Sequence, residues 1–200
     1  MKSVTLLGDS IIDNISYVDP PGLCVLGHLS EIKPDWDFDQ RAVDGHTTHD
    51  LLAAQLGQPI KGPVVLSIGG NDLLNRIDII TSPTRVSPVD LLEELYREAA
   101  MFRDRHQTIL GQLTSPALIC TVYNPVFAKD PSLAPLQDAA EMAIAIFNDV
   151  IQRSAQNARF DLLELRDLFT DADDYANPIE PSDRGGHKLA KAIVRWAKSL

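Results

Sequence analysis

A chain of 200 residues with 44% apolar and 23% charged positions has the composition of a folded globular protein and the length of one domain. Disordered, collagen-like and low-complexity classes are excluded, and a core of useful size can be buried. With 28 acidic against 18 basic residues the formal net charge is -10, so a nucleic-acid backbone would repel the chain and is not an expected partner.

In chain order, Val4 to Leu7 is a short apolar run stopped at Gly8, the pattern of a buried strand. After one basic residue this run, broken by Thr5, is too short for the apolar region of a secretion signal, and no apolar run reaches membrane-spanning length, so a cytoplasmic protein without a membrane partner is expected. Leu23 to Ile32 reads as a helix stopped by Lys33-Pro34. Asp37 to Val43 reads as a weaker strand and His46 to Leu56 as a helix. Pro63 to Ile68 is the clearest strand, ended by Gly69-Gly70. Ser87-Pro88 caps a long helix running to about Leu113. Ala117 to Val122 is a strand, Leu136 to about Asn157 a helix with one apolar stripe, and Phe160 to Leu165 a fifth strand. Ser182 opens a final helix. Strands alternating with helices predict an α/β domain whose parallel sheet is covered on both faces, with no linker to divide it. Cys24 and Cys120 sit among apolar neighbours and read as reduced thiols.

Ligands of such sheets bind beyond the carboxyl ends of the strands, which selects Gly8-Asp9-Ser10, Asp44-Gly45-His46-Thr47 and Gly69-Gly70-Asn71-Asp72. The first places a hydroxyl on a turn expected to lead into a helix, close to its positive end, where Ser10 is either a nucleophile or, with Asp9, a helix cap. Gly45 allows close approach of a backbone N–H, and Asn71 carries a side-chain amide. Together they could form a nucleophile with an oxyanion hole.

These three segments, in this order and each after a strand, resemble the first three blocks of the SGNH (GDSL-type) hydrolases. The resemblance spans nearly the whole chain. It implies a flavodoxin-like three-layer α/β/α sandwich with five parallel strands ordered 2-1-3-4-5, and hydrolysis of a small ester without metal or cofactor. It also implies Ser10 as nucleophile and the Ser10 and Gly45 N–H groups with the Asn71 amide as oxyanion donors. The fourth block departs from the family pattern. Pro181, Ser182 and Gly185 match without a gap, which puts Glu180 where the family has its general-base His and Asn177 where it has the Asp that orients it. Glu180 can serve as base if burial raises its pKa. His187, which shares a helical face with Asp183, is the alternative base, and His46 and His49 offer imidazoles from another loop. His28 and His106 read as surface or packing residues.

Tyr123 to Phe127 follows the fourth strand and is expected to line the cleft, against an acyl chain or a sugar face, or simply to cover the sheet edge. Asp171-Ala172-Asp173-Asp174 begins like a calcium loop but has Ala176 at the sixth place, where such a loop needs glycine, and reads as an acidic surface loop. The residues therefore predict a serine esterase of weakened activity, because its base is atypical. The alternatives are a relative that keeps the cleft to bind a small ligand or carbohydrate, or a phosphate-binding module with Gly8-Asp9-Ser10 as the anion cradle, against which Asp9, Asp13, Asp44 and Asp72 argue.

Overall fold

The computed structural model describes residues 2–81 and 87–200. Five strands, β1 (Ser3–Gly8), β2 (Asp37–Gln40), β3 (Val64–Ser67), β4 (Ala117–Cys120) and β5 (Asp161–Leu163), form one sheet in the order β2-β1-β3-β4-β5, with every neighbouring pair parallel. This is the predicted order. It follows from right-handed crossovers that wind first one way and then the other from β1.

Strand residues alternate between two cores. Leu7, Val64, Leu66, Ala117 and Ile119 face one side, where α2 (Thr48–Ala54), α5 (Pro88–Gly111) and α6 (Gln137–Ala158) pack. Val4, Leu6, Val65, Leu118 and Cys120 face the other, covered by α1 (Val25–Ile32) and α8 (Asp183–Ser199). The three central strands are therefore apolar on both faces.

The expected edges were too long. At the β2 side, Arg41 and Ala42 both send their N–H to the Leu6 carbonyl, at 2.8 and 3.0 Å, so regular pairing stops at Gln40 and the chain bulges through Val43. β5 keeps only three of the six expected residues. Helices α3 (Gly70–Leu74), α4 (Asp78–Thr81) and α7 (Leu165–Leu168) were not predicted, since four or five residues are too few to show a helical period. Cys120 is buried, its thiol pushed up to about 12 by burial, and Cys24 is the residue before α1; both are free. Among the described residues no helix is long and apolar enough to cross a membrane.

Two buried amides finish strands at the carboxyl edge. Gln55 pairs with both the N–H and the carbonyl of Gly8, at 2.9 and 2.8 Å, and Asn148 does the same for Val122, at 2.8 Å each way. They satisfy the Gly8 and Val122 backbone groups where ladder pairing at the carboxyl edge runs out.

Candidate active site

Ser10 is buried in a turn directly after β1. Asp9 builds that turn: its Oδ1 accepts the Ile11 N–H at 3.1 Å, and its carbonyl accepts from Ile12 and Asp13. The expected helix does not follow. A single 3-10 turn spans Ile15–Tyr17 and α1 starts only at Val25, so the Ser10 turn does not open a helix. What the Ser10 hydroxyl faces is the Glu180 carboxyl, whose ionised form it favours and whose Oε2 has no hydrogen-bond partner among the described residues.

Glu180 sits on the 176–181 turn, which is held from several directions. Asn177 Oδ1 accepts the N–H groups of both Ile179 and Glu180, at 3.0 Å each, so Asn177 orients Glu180 through its backbone and leaves its carboxyl untouched. The Glu180 carbonyl accepts from Ala176 at 2.8 Å, and Pro181 bridges to Tyr175. The Tyr123 hydroxyl donates to the Ile179 carbonyl at 2.6 Å, Val126 N–H to Pro178 at 2.8 Å, and Asn14 to Pro181 at 3.1 Å. A turn fixed by this many backbone contacts presents the carboxyl in one place. Burial, followed by the negative charge of Asp44, raises the Glu180 pKa to about 7 against the lowering effect of the Ser10 hydroxyl.

Asp9 is fully buried beside it. Desolvation raises its pKa to about 8, with smaller contributions from Glu180 and Asp72, and its Oδ2 has no partner among the described residues. Asp72 accepts from the Thr48 N–H at 2.9 Å and from the Thr48 hydroxyl at 2.5 Å, which ties α2 to α3; its carboxyl too is raised by burial.

Gly45 lies on the loop before α2 with φ of +80°, a conformation that favours glycine. Among the described residues neither its N–H nor that of Ser10 donates to a protein acceptor. Asn71, on α3, gives one amide proton to the His46 carbonyl at 3.1 Å, which braces the Gly45 loop; the amide's other proton has no acceptor among the described residues. Asn71 also lines, with Asp9 and Ser10, an apolar cavity of about 100 Å³ that runs between α3, α4, α5 and α6, past Ile77, Ile80, Leu95 and Phe147. Tyr123 and Phe127 contribute to its wall, so the aromatic segment after β4 does line the cleft.

The imidazoles lie elsewhere. His187 meets His28 across the α1–α8 interface, and Asp183 hydrogen-bonds His28 rather than His187. His46 Nδ1 contacts the Gln55 amide at 3.0 Å, and His49 is exposed on α2. His106 is buried against Phe102, where it packs, its pKa lowered to about 4 by desolvation, and His28 is buried too. The acidic loop is neutralised by protein cations: the fully buried Asp174 is bound by Arg184 at 3.3 Å and by Lys188 at 2.6 Å. Sequence reasoning missed Asp9 as a buried acid, because a carboxyl in a strand-end turn ordinarily reads as a cap.

The fold recurs in solved enzymes. Phospholipase A1 from Streptomyces albidoflavus NA297 superposes with a TM-score of 0.70 at 17% identity, over 96% of this chain and 98% of that one. The extracellular lipase of Streptomyces rimosus gives 0.69 at 17%, over 98% and 100%. The carbohydrate acetylesterase Est24 of Sinorhizobium meliloti gives 0.67 at 14%, over the whole of both chains. No curated protein matches this chain in sequence. The model of the GDSL-like lipase/acylhydrolase family matches residues 6–188, and with that span, which holds all four segments of the site, the chain belongs to this family of ester hydrolases.

Proposed function

We propose that the chain is a serine esterase in which Glu180 takes the place of the usual imidazole base. The observation that carries this reading is a buried carboxyl beside the Ser10 hydroxyl, with an Oε2 that has no partner among the described residues and a pKa raised to about 7. A general base works best when its pKa lies near the operating pH, and burial brings Glu180 close to the 6.5 or so of an ordinary imidazole. As Ser10 Oγ attacks the ester carbonyl, its proton passes to Glu180. The N–H groups of Ser10 and Gly45, with the second amide proton of Asn71, would hold the oxyanion that forms. Glu180, now neutral, returns the proton to the leaving alkoxide, and a water activated in the same way releases the acid from Ser10.

The acyl group belongs in the apolar cavity. At about 100 Å³ it is smaller than the roughly 150 Å³ cavity that holds a benzene ring, so it suits a chain of a few carbons. A small ester of a short aliphatic acid is the substrate class this favours. The test is hydrolysis of p-nitrophenyl butyrate by the protein and by its Ser10→Ala variant. A rate that Ser10→Ala abolishes supports the reading. Equal rates in both proteins would refute serine catalysis and leave a cleft that only binds its ligand, the reading that the missing imidazole would then favour.

A further inference from the structure

Outside the cleft, the first turns of α8 and α1 come unusually close. Gly186 makes this possible, since a Cβ there would already lie 3.4 Å from the Val25 side chain and 3.5 Å from that of Asn14. The approach brings His187 on α8 against His28 on α1, with the two Nδ1 atoms 3.3 Å apart.

The hydrogen bonds of His28 determine which of its nitrogens is free. Its Nε2 faces two acceptors of Asp183, the carboxylate Oδ1 at 2.9 Å and the carbonyl at 3.0 Å, so Nε2 carries the proton. Asp183 is itself fixed, its Oδ1 accepting the Leu23 N–H at 2.7 Å. In the neutral ring Nδ1 is therefore a bare lone pair turned toward His187. A histidine that donates one N–H to a carboxylate and offers the other nitrogen is the arrangement in which metal-ligating histidines are found. The spacing agrees. Two nitrogens at about 2.0–2.1 Å from a tetrahedral ion stand about 3.3 Å apart, whereas a direct hydrogen bond between nitrogens is typically shorter. The ring centroids are 4.8 Å apart, only 4.8 − 3.3 = 1.5 Å more than the nitrogens, and the rings are inclined at 73°. The rings are thus turned away from the head-on alignment that would carry each ring's full radius into the separation.

We propose that His28 and His187 form a binding site for a divalent transition ion of the zinc, nickel or copper type, with Asp183 orienting His28. Among the described residues no cluster of three or more such groups occurs, so the protein supplies two nitrogens and water the remaining positions. His187 is exposed, which leaves those positions open. Imidazole suits these ions and discriminates against magnesium and calcium. The ion would clamp α1 to α8, beside the turn that carries Glu180, and is independent of the chemistry at Ser10.

The experiment uses the full chain without an affinity tag, stripped with EDTA and dialysed, and titrated with ZnCl2 and NiCl2 by calorimetry and by thermal unfolding. One ion bound per chain and a rise in Tm are expected, with no response to MgCl2. His187→Ala, at an exposed position, should keep the metal-free Tm and lose the binding and the shift. Asp183→Asn should weaken binding by about tenfold or more. Binding that persists in both His187→Ala and His28→Gln, or no binding by the native chain at 1 mM ion, would overturn the proposal and leave the two histidines joined by a hydrogen bond alone.

Discussion

Glu180→Gln removes the charge proposed to accept the Ser10 proton while keeping an oxygen in its place. The substitution is nearly isosteric, so the turn held by Asn177, Tyr123 and Asn14 should survive it. A positioned general base contributes about 100- to 10,000-fold, and a loss of that size is expected in kcat with KM little changed. The pH dependence is the sharper reading. With a pKa of about 7, Glu180 is ionised to about 1% at pH 5 and about 90% at pH 8, so kcat/KM for p-nitrophenyl butyrate should rise roughly 90-fold between them. A carboxylate at its ordinary pKa of 4.5 would already be about three-quarters ionised at pH 5 and give a rise of less than about 1.5-fold. Rates are taken after subtraction of Ser10→Ala at each pH. A profile flat from pH 5 to 8, or a Glu180→Gln protein that keeps its rate, would refute the assignment of Glu180 as base.

Three further outcomes follow from the same geometry. Asn177→Ala should cost about 1–3 kcal/mol in urea unfolding, by freeing the Ile179 and Glu180 N–H groups, and lower kcat; Asn177→Asp should restore the two hydrogen bonds but move the activity limb above pH 7, because a second negative charge disfavours ionisation of Glu180. Asp9, with its pKa raised from 3.8 to about 8, holds in the folded protein a proton that the unfolded chain gives up. Stability should therefore fall as pH rises from about 4 to 8, by an amount on the order of a few kcal/mol, and the slope should be much reduced in Asp9→Asn, measured by urea midpoints at pH 5 and 8. Ala140→Leu, which adds three carbons to the cavity wall, should lower kcat/KM for p-nitrophenyl butyrate by about tenfold more than for the acetate, one to two methylenes' worth of binding; equal losses on both esters would place the acyl chain elsewhere.

The sheet was readable because its inner strands are buried on both faces: Val64-Val65-Leu66 and Ala117-Leu118-Ile119-Cys120 admit no other period. The order of the strands came with the family resemblance. Two of the long helices announced themselves by caps, Ser87 Oγ accepting the Val89 N–H and Ser182 Oγ that of Gly185. The edges were not legible, since the end of β2 depends on two N–H groups competing for the Leu6 carbonyl, which only the paired strand decides. In the site, the gapless Pro181-Ser182-Gly185 match aligned Glu180 with the position where the family has its base. Its pairing with Ser10, and the burial that sets its pKa, arise from residues more than a hundred positions apart along the chain. The charge of Asp9 was hidden for the same reason: nothing local marks a strand-end carboxyl as lying under the sheet's carboxyl edge with one oxygen unpaired.

The two departures in the fourth block are chemically consistent with one another. A histidine base becomes a cation when it accepts the serine proton, and a neighbouring carboxylate stabilises that cation and fixes the ring. A glutamate base becomes neutral, so a carboxylate beside it would only oppose the ionised state it must start from. At position 177 the amide oxygen of asparagine performs the part of the task that remains: it holds the backbone of Ile179 and Glu180 and adds no charge. Burial and Asp44 disfavour the ionised carboxylate while the Ser10 hydroxyl favours it, and the balance lies at about 7. In the proposed mechanism, the negative charge would move from Glu180 toward the substrate oxygen during attack, with no net charge created in the buried cleft. The cost of that transfer depends on how well the Ser10, Gly45 and Asn71 donors replace what the carboxylate gives up. In this arrangement the oxyanion donors take on a larger share of the work than they have opposite an imidazole, where the new cation stabilises the oxyanion as well.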